Sequence, residues 1–302
     1  MKPVNEIVES IANAVRDPSY GRFTKGDIIE AVNEAKDIAV TDLIKTSENL
    51  LAFFSTADAP TDLNIVAGQE KIALPPNFAR LIRAEILSGQ YYYPIKEARK
   101  GEGYPGTSNR PLAITQDTGY YILGRYFVLD PPPLTALTAG LRLYYEHSIP
   151  DLLMGTVVAA GAQSVTLASA INRTLGQYPA DRRDDIYNGL EIAITAGTGS
   201  GQQLRITDYA GSTRVATVVT PWSPAPDTTS SYAIVTPFPD TLAMLDKYLA
   251  ARAPIVLLST KRNEDVSGYI ARANELQEAA MSALEPQTPG NRVMVPFDWE
   301  NG

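Results

Sequence analysis

The sequence has no cysteine and a single histidine, His147. Without thiols there can be no disulfide staple, no thiolate metal site and no thiol nucleophile, and the chain suits folding in a reducing cytoplasm. With one imidazole, a serine-type triad or a histidine-rich metal site has at most one possible member. A polar residue at the end of a strand is the plainer reading of His147. Basic charge is scarce too: 26 Lys and Arg stand against 34 Asp and Glu, a net charge of -8, and no basic run exceeds a pair such as Arg182-Arg183. Phosphate backbones are gripped mainly by Lys and Arg, so high-affinity binding of nucleic acid is not expected. Long apolar runs are missing. The uncharged stretch Met154 to Asn172 carries Gly155, Gly161, Gln163 and several hydroxyls, which excludes a helical membrane span. Glu6 and Glu9 stand where a signal peptide needs an apolar run, so export by that route is not expected.

What is present is ordinary globular material: 302 residues, 44% apolar and 20% charged, enough for two domains, one of which can be an insertion. Ile7, Ile11 and Val15 at helical spacing predict a short amphipathic helix ending near Asp17-Pro18. Thr24 with Asp27 reads as a capping box, followed by a helix through Ile28, Val32, Ala35, Ala39 and Leu43 to about Phe54. Asn64 to Ala67 and Glu70 to Leu74 read as a hairpin turned by Gly68-Gln69, and Leu81 to Leu87 as a strand. Lys96 to Lys100 reads as a helical turn and Glu102 to Asn109 as a loop. Pro111 to Thr115, Tyr120 to Leu123 and Tyr126 to Leu129 read as short strands, and Leu141, Leu143 and Tyr145 mark a fourth with one buried face.

Between Gly155 and Thr236 the composition shifts to Thr, Ala, Gly, Ser and Val, with a turn signal every ten residues or so, the mark of an all-β unit. Helices return over Pro239 to Arg252 and Ile255 to Leu258, and again through Val266, Ile270, Ala273, Leu276, Ala280 and Leu284. Three patterns with chemical overtones read better as structure. Gly197-Thr198-Gly199-Ser200-Gly201 lacks the lysine of a nucleotide-binding loop and is followed by a strand, so it is a hairpin turn. Asp181, Asp184 and Asp185 lack EF-hand spacing and are interleaved with Arg182 and Arg183, so they make a solvated loop and no metal site is expected. The tyrosine pairs and triplet supply Tyr91, Tyr92, Tyr93, Tyr121 and Tyr144 as candidate subunit-interface residues, with a plain core role as the alternative. No convergent polar site emerges, so the chain is expected to be no enzyme and to need no cofactor.

The order of elements carries a resemblance. Two N-terminal helices lead to Gly119-Tyr120-Tyr121-Ile122-Leu123-Gly124, then Phe127-Val128-Leu129-Asp130-Pro131-Pro132-Pro133, then Leu141-Arg142-Leu143-Tyr144-Tyr145-Glu146 and Ile149-Pro150-Asp151-Leu152. The series resembles the head-to-tail adaptor (connector) proteins of tailed bacteriophages. Tyr187 to Thr195, Gly197 to Gln202, Ser212 to Val218, Pro221-Trp222 and Pro226 to Tyr232 resemble a small β-module that recurs in phage structural proteins. The resemblance implies an α+β fold: a helical bundle with a small antiparallel β-sheet, plus an inserted all-β barrel or sandwich. It implies an adaptor core of residues 1–154 and 237–286, an inserted β-domain over 155–236 and an extended tail over 287–302. It also implies a ring, typically of twelve copies, in the neck of the virion at the head–tail interface, made in the host cytoplasm. Such a ring docks on the portal protein, meets tail or neck proteins, and lets DNA pass without specific binding.

The tail is the expected portal contact, with packing on its own domain as the alternative. Val293, Val295, Phe297 and Trp299 alternate with Met294, Pro296 and Asp298, so an extended strand would present one apolar face. Two other readings compete. A tail or fibre component should show repeats, and none is visible; a carbohydrate-binding module would need Trp222 as an exposed stacking platform.

Overall fold

The computed structural model describes residues 2–46, 60–98, 118–236, 243–262 and 265–284. The chain opens with helix α1 (Val4–Ala14), which buries Val4, Ile7, Val8, Ile11 and Ala12 along one stripe. The turn that follows is organised by Asp17, whose carboxylate accepts the backbone N–H groups of Gly21, Arg22 and Phe23 at 2.8, 2.8 and 2.9 Å. Helix α2 (Lys25–Thr46) starts from the expected capping box. The Thr24 N–H donates to Asp27 at 2.8 Å and the Asp27 N–H donates to the Thr24 hydroxyl at 3.1 Å, which satisfies two orphan donors of the first turn.

Eight strands follow: β1 (Thr61–Ile65), β2 (Lys71–Ala73), β3 (Phe78–Ser88), β4 (Tyr91–Pro94), β5 (Lys96–Glu97), β6 (Gly119–Leu123), β7 (Tyr126–Asp130) and β8 (Leu137–His147). They form two four-stranded sheets, one in the order β1-β8-β3-β4 and the other β2-β7-β6-β5. The two sheets share a core in which Ala84, Ile86, Phe127, Leu141 and Leu143 are wholly buried. Leu141, Leu143 and Tyr145 point inward from alternate positions of β8, as their period of two requires. Each buried aliphatic side chain here contributes about 1.5–3 kcal/mol relative to an exposed one.

Strands β9 (Met154–Thr156), β10 (Ala159–Ala160), β11 (Ser164–Thr166), β12 (Glu191–Ala196), β13 (Gln203–Ala210), β14 (Val215–Val218) and β15 (Ser231–Ile234) make one seven-stranded sheet, ordered β10-β11-β14-β13-β12-β15-β9. Its core is built on Val165, Leu167, Ile192, Ile206, Ala216 and Tyr232, all fully buried. The glycine loop between β12 and β13 is a turn, as its composition predicts. Gly197 holds φ at 78° against the backbone of Thr229 and Ser230, where an added Cβ would meet a carbonyl oxygen at 2.5 Å. Helices α3 (Ala243–Arg262) and α4 (Ser267–Leu284) close the described chain. They pack with α1 and α2 around Ile28, Val32, Leu249 and Ala273, and this core also takes in Leu152, Met154 and Ala233 from the edge of the seven-stranded sheet.

The expected fold class, a helical bundle carrying one small antiparallel sheet, is overturned. Among the described residues the molecule is mostly β, with three sheets of four, seven and four strands and four helices, and no helical bundle organises it. Several local expectations fall with it. The residues read as a hairpin over 64–74 go to different sheets: Ile65 lies opposite Leu137 of β8, and Ile72 opposite Phe127 of β7. Each short strand finds a longer apolar partner elsewhere, and that burial outweighs the local turn signal. Lys96 and Glu97 form a parallel bridge to Gly119 and Tyr120 in place of a helical turn. Helix α3 runs as one element through Pro254. The expected strand at 111–115, the loop at 102–109, the far end of the second helix and the whole tail lie outside the described residues.

Candidate interaction surfaces

The outward face of the β1-β8-β3-β4 sheet carries two of the five sequence-predicted interface tyrosines, Tyr92 and Tyr144. Tyr144 stands opposite Arg83, whose guanidinium lies 4.2 Å from the ring centre, and Tyr92 carries the Arg142 guanidinium at 3.7 Å. Arg142 in turn grips Asp62 on the neighbouring strand through two bonds of 2.7 and 2.9 Å, and Arg80 grips Glu146 at 2.9 and 2.7 Å. The Arg142 guanidinium, despite the cost of partial burial, holds the Asp62 carboxyl below the usual carboxylate range. The Tyr92 hydroxyl donates to the Ala139 carbonyl at 2.6 Å. The result is a paved face of flat, paired groups with little rotamer freedom left to lose, a state that lowers the cost of covering it with another surface.

The other predicted tyrosines divide. Tyr91 is 68% exposed at the outer edge of the sheet, whereas Tyr93 lies half-buried opposite Ile86. Tyr121 is half-buried opposite Val128 on the second sheet. The partners that define the paved face, Asp62, Arg83 and Arg142, were not singled out from sequence, because only the strand register reveals them. The tail residues Val293, Val295, Phe297 and Trp299 lie outside the described residues.

A second surface is a groove of about 630 Å³ beside the β6–β7 hairpin. Leu74, Pro75, Pro76, Ile122 and Tyr126 supply apolar walls, and Arg80, Arg125 and Arg183 supply its charge. Ile122, Leu123 and Tyr126 are exposed by 39, 39 and 47%, so the hairpin offers apolar area to solvent beside the groove.

A third feature is the cleft of about 480 Å³ where α2 meets the seven-stranded unit, lined by Glu30, Glu34, Asp37, Asp151 and Asp181 among others. Most of its carboxylates already have partners. Arg173 bonds Asp27 and Glu30, Tyr178 donates to Glu30 at 2.8 Å, and the buried Lys36 ammonium reaches Asp37, Asp151 and the Pro150 carbonyl. Burial, then the neighbouring Glu30, pushes the Tyr178 hydroxyl up to about 12. Asp181 is tied to Arg183, Asp184 accepts the Gly211 N–H and Asp185 accepts from Asn188, so the aspartate cluster shapes its own loop. Among the described residues no three His, Asp or Glu side chains converge as a metal site. Trp222 is 5% exposed within the core of the seven-stranded sheet and is no stacking platform.

A family match over nearly the whole chain gives the class, a structural adaptor of a bacteriophage particle, a virion component that interacts with other virion proteins. The family model of the SU10 adaptor protein matches residues 3–298, nearly the whole chain, and the chain belongs to that family. No curated protein matches it. Among the described residues no helix is long and apolar enough to cross a membrane.

Proposed function

We propose that the protein is a head-to-tail adaptor: it forms a ring, typically of twelve copies, that docks on the portal, extends the DNA channel and supports the attachment of tail proteins. It supplies geometry and makes or breaks no covalent bonds. The observation that carries the reading is the match of one adaptor family across residues 3–298, a span that takes in all three cores. A net charge of -8 supports it, since a channel wall that does not neutralise phosphates lets DNA slide.

Within this reading residues 155–236 are an insertion between two halves of the adaptor core. Support comes from how the segment leaves and returns. Thr156 pairs with Ser231 across β9 and β15, and Val235 bridges Pro3 at the start of α1. Ends that lie side by side are what a tolerated insertion needs.

The test is to mix the purified protein with portal rings and weigh the complex by native mass spectrometry. A closed ring stacked on the portal, with one copy per portal subunit, is the expected result. A chain that stays solitary in the presence of portal would overturn the proposal.

A further inference from the structure

The groove beside the β6–β7 hairpin has a composition that its place in the fold does not explain. Leu74, Pro75, Pro76 and Ile122 give it apolar walls, its described lining residues include no carboxylate, and the guanidinium groups of Arg80, Arg125 and Arg183 line it as well. Two of these are already engaged, Arg80 with Glu146 and Arg183 with Asp181. The groove therefore suits an occupant that is apolar and aromatic along one side and carries carboxylates along the other.

The chain itself contains such a segment. In an extended conformation Val293, Val295, Phe297 and Trp299 would fall on one side and Asp298 and Glu300 on the other, and no Lys or Arg lies between Val293 and Glu300. Val293 lies nine positions after Leu284, a reach of up to about 30 Å at 3.3–3.6 Å per residue. A ring built head to tail needs two unlike, complementary surfaces on every subunit. Groove and segment are such a pair, matched in shape class and opposite in charge.

We propose that residues 293–300 of one copy lie in this groove of the next, with Phe297 and Trp299 against Ile122 and Tyr126 and the carboxylates towards Arg125. The inference rests on the ring reading and deepens it, by naming which parts of neighbouring subunits meet. It assigns to a second copy the segment that sequence alone suggests for the portal.

The experiment uses the full chain with p-benzoylphenylalanine at position 297. Light and nitrogen-15-labelled protein are mixed, assembled with portal rings and irradiated, and the crosslinked peptides are identified by mass spectrometry. Crosslinks that join light to heavy chains and map to residues 74–81 or 122–126 are expected. Tyr126→Ala should lower their yield about tenfold, the loss that truncation of one anchoring aromatic gives. Arg125→Glu should lower it as well. Both side chains are already exposed, so the melting temperature of either variant should stay within about 2 °C of the parent, in line with the small effect of surface substitutions. Crosslinks confined to one isotope would show a chain holding its own tail and would overturn the proposal. Crosslinks to the portal alone, or to other parts of a neighbour, would overturn it too. If rings form on the portal without any tail-to-groove crosslink, this inference fails and the adaptor reading stands. If no ring forms, both fail.

Discussion

Asp17 shows how much local order one side chain can impose. Burial works against its charge, yet three backbone N–H groups and the nearby Arg22 hold its carboxyl below the ordinary 3.8. An asparagine has one acceptor oxygen and would turn a donor towards the same N–H groups. Asp17→Asn should cost about 1.5–3 kcal/mol at neutral pH, read from the denaturant midpoint. The sign of the pH dependence follows from the lowered value. The stability that Asp17 contributes is complete above the unfolded carboxylate range and is lost as pH falls through the lower folded value. The gap between parent and variant should therefore narrow on acidification below about pH 4. Arg142 is organised differently: it bonds Asp62 and stacks on Tyr92, so one guanidinium joins three strands of a sheet.

Among the elements, α2 is the one whose position depends on polar groups as well as on its apolar stripe. Asn33 bonds Leu152 in both directions, its amide donating to the carbonyl at 3.0 Å and its oxygen accepting the N–H at 2.8 Å. Together with Lys36 it fixes the segment that leads from β8 into the seven-stranded sheet. Asn33→Ala should cost about 1–3 kcal/mol. Hydrogen exchange at the Leu152 amide should speed up while the amides paired between β3 and β8 keep their protection; unchanged exchange at Leu152 would show the contact to be passive. Elements of this kind were legible in sequence where the signal was local. The capping box at Thr24 and Asp27, the alternation of Leu141, Leu143 and Tyr145, and the glycine turn before β13 all stand as read. What was not legible depends on partners distant in the chain. Nothing within Asn64 to Leu74 tells that its two strands belong to different sheets, and the bundle came with the adaptor resemblance, which does not count the short strands of this chain. The outward face of the β1-β8-β3-β4 sheet was half legible. Its tyrosines were visible in sequence, but the arginines that cover two of them are set by register.

For the whole molecule, the helical core and the seven-stranded sheet are not independent bodies. Leu152, Met154 and Ala233 carry the helical core into the edge of the seven-stranded sheet, and the Thr236 N–H donates to the Lys2 carbonyl at 2.9 Å. The net charge of -8 bears on the channel role proposed above. Labelled duplex at physiological salt should bind the free protein more weakly than about 10⁻⁴ M, the loose end of ordinary non-specific affinity, when followed by fluorescence anisotropy. Micromolar binding that weakens steeply with salt would instead reveal a concentrated basic surface and argue against a sliding channel wall. The pairing of Thr156 with Ser231 has a further meaning at this scale. On the insertion reading proposed above, residues 155–236 sit in the frame like a plug in a socket. Whatever hangs there can grow, shrink or be exchanged for another payload while the frame around it keeps its dimensions.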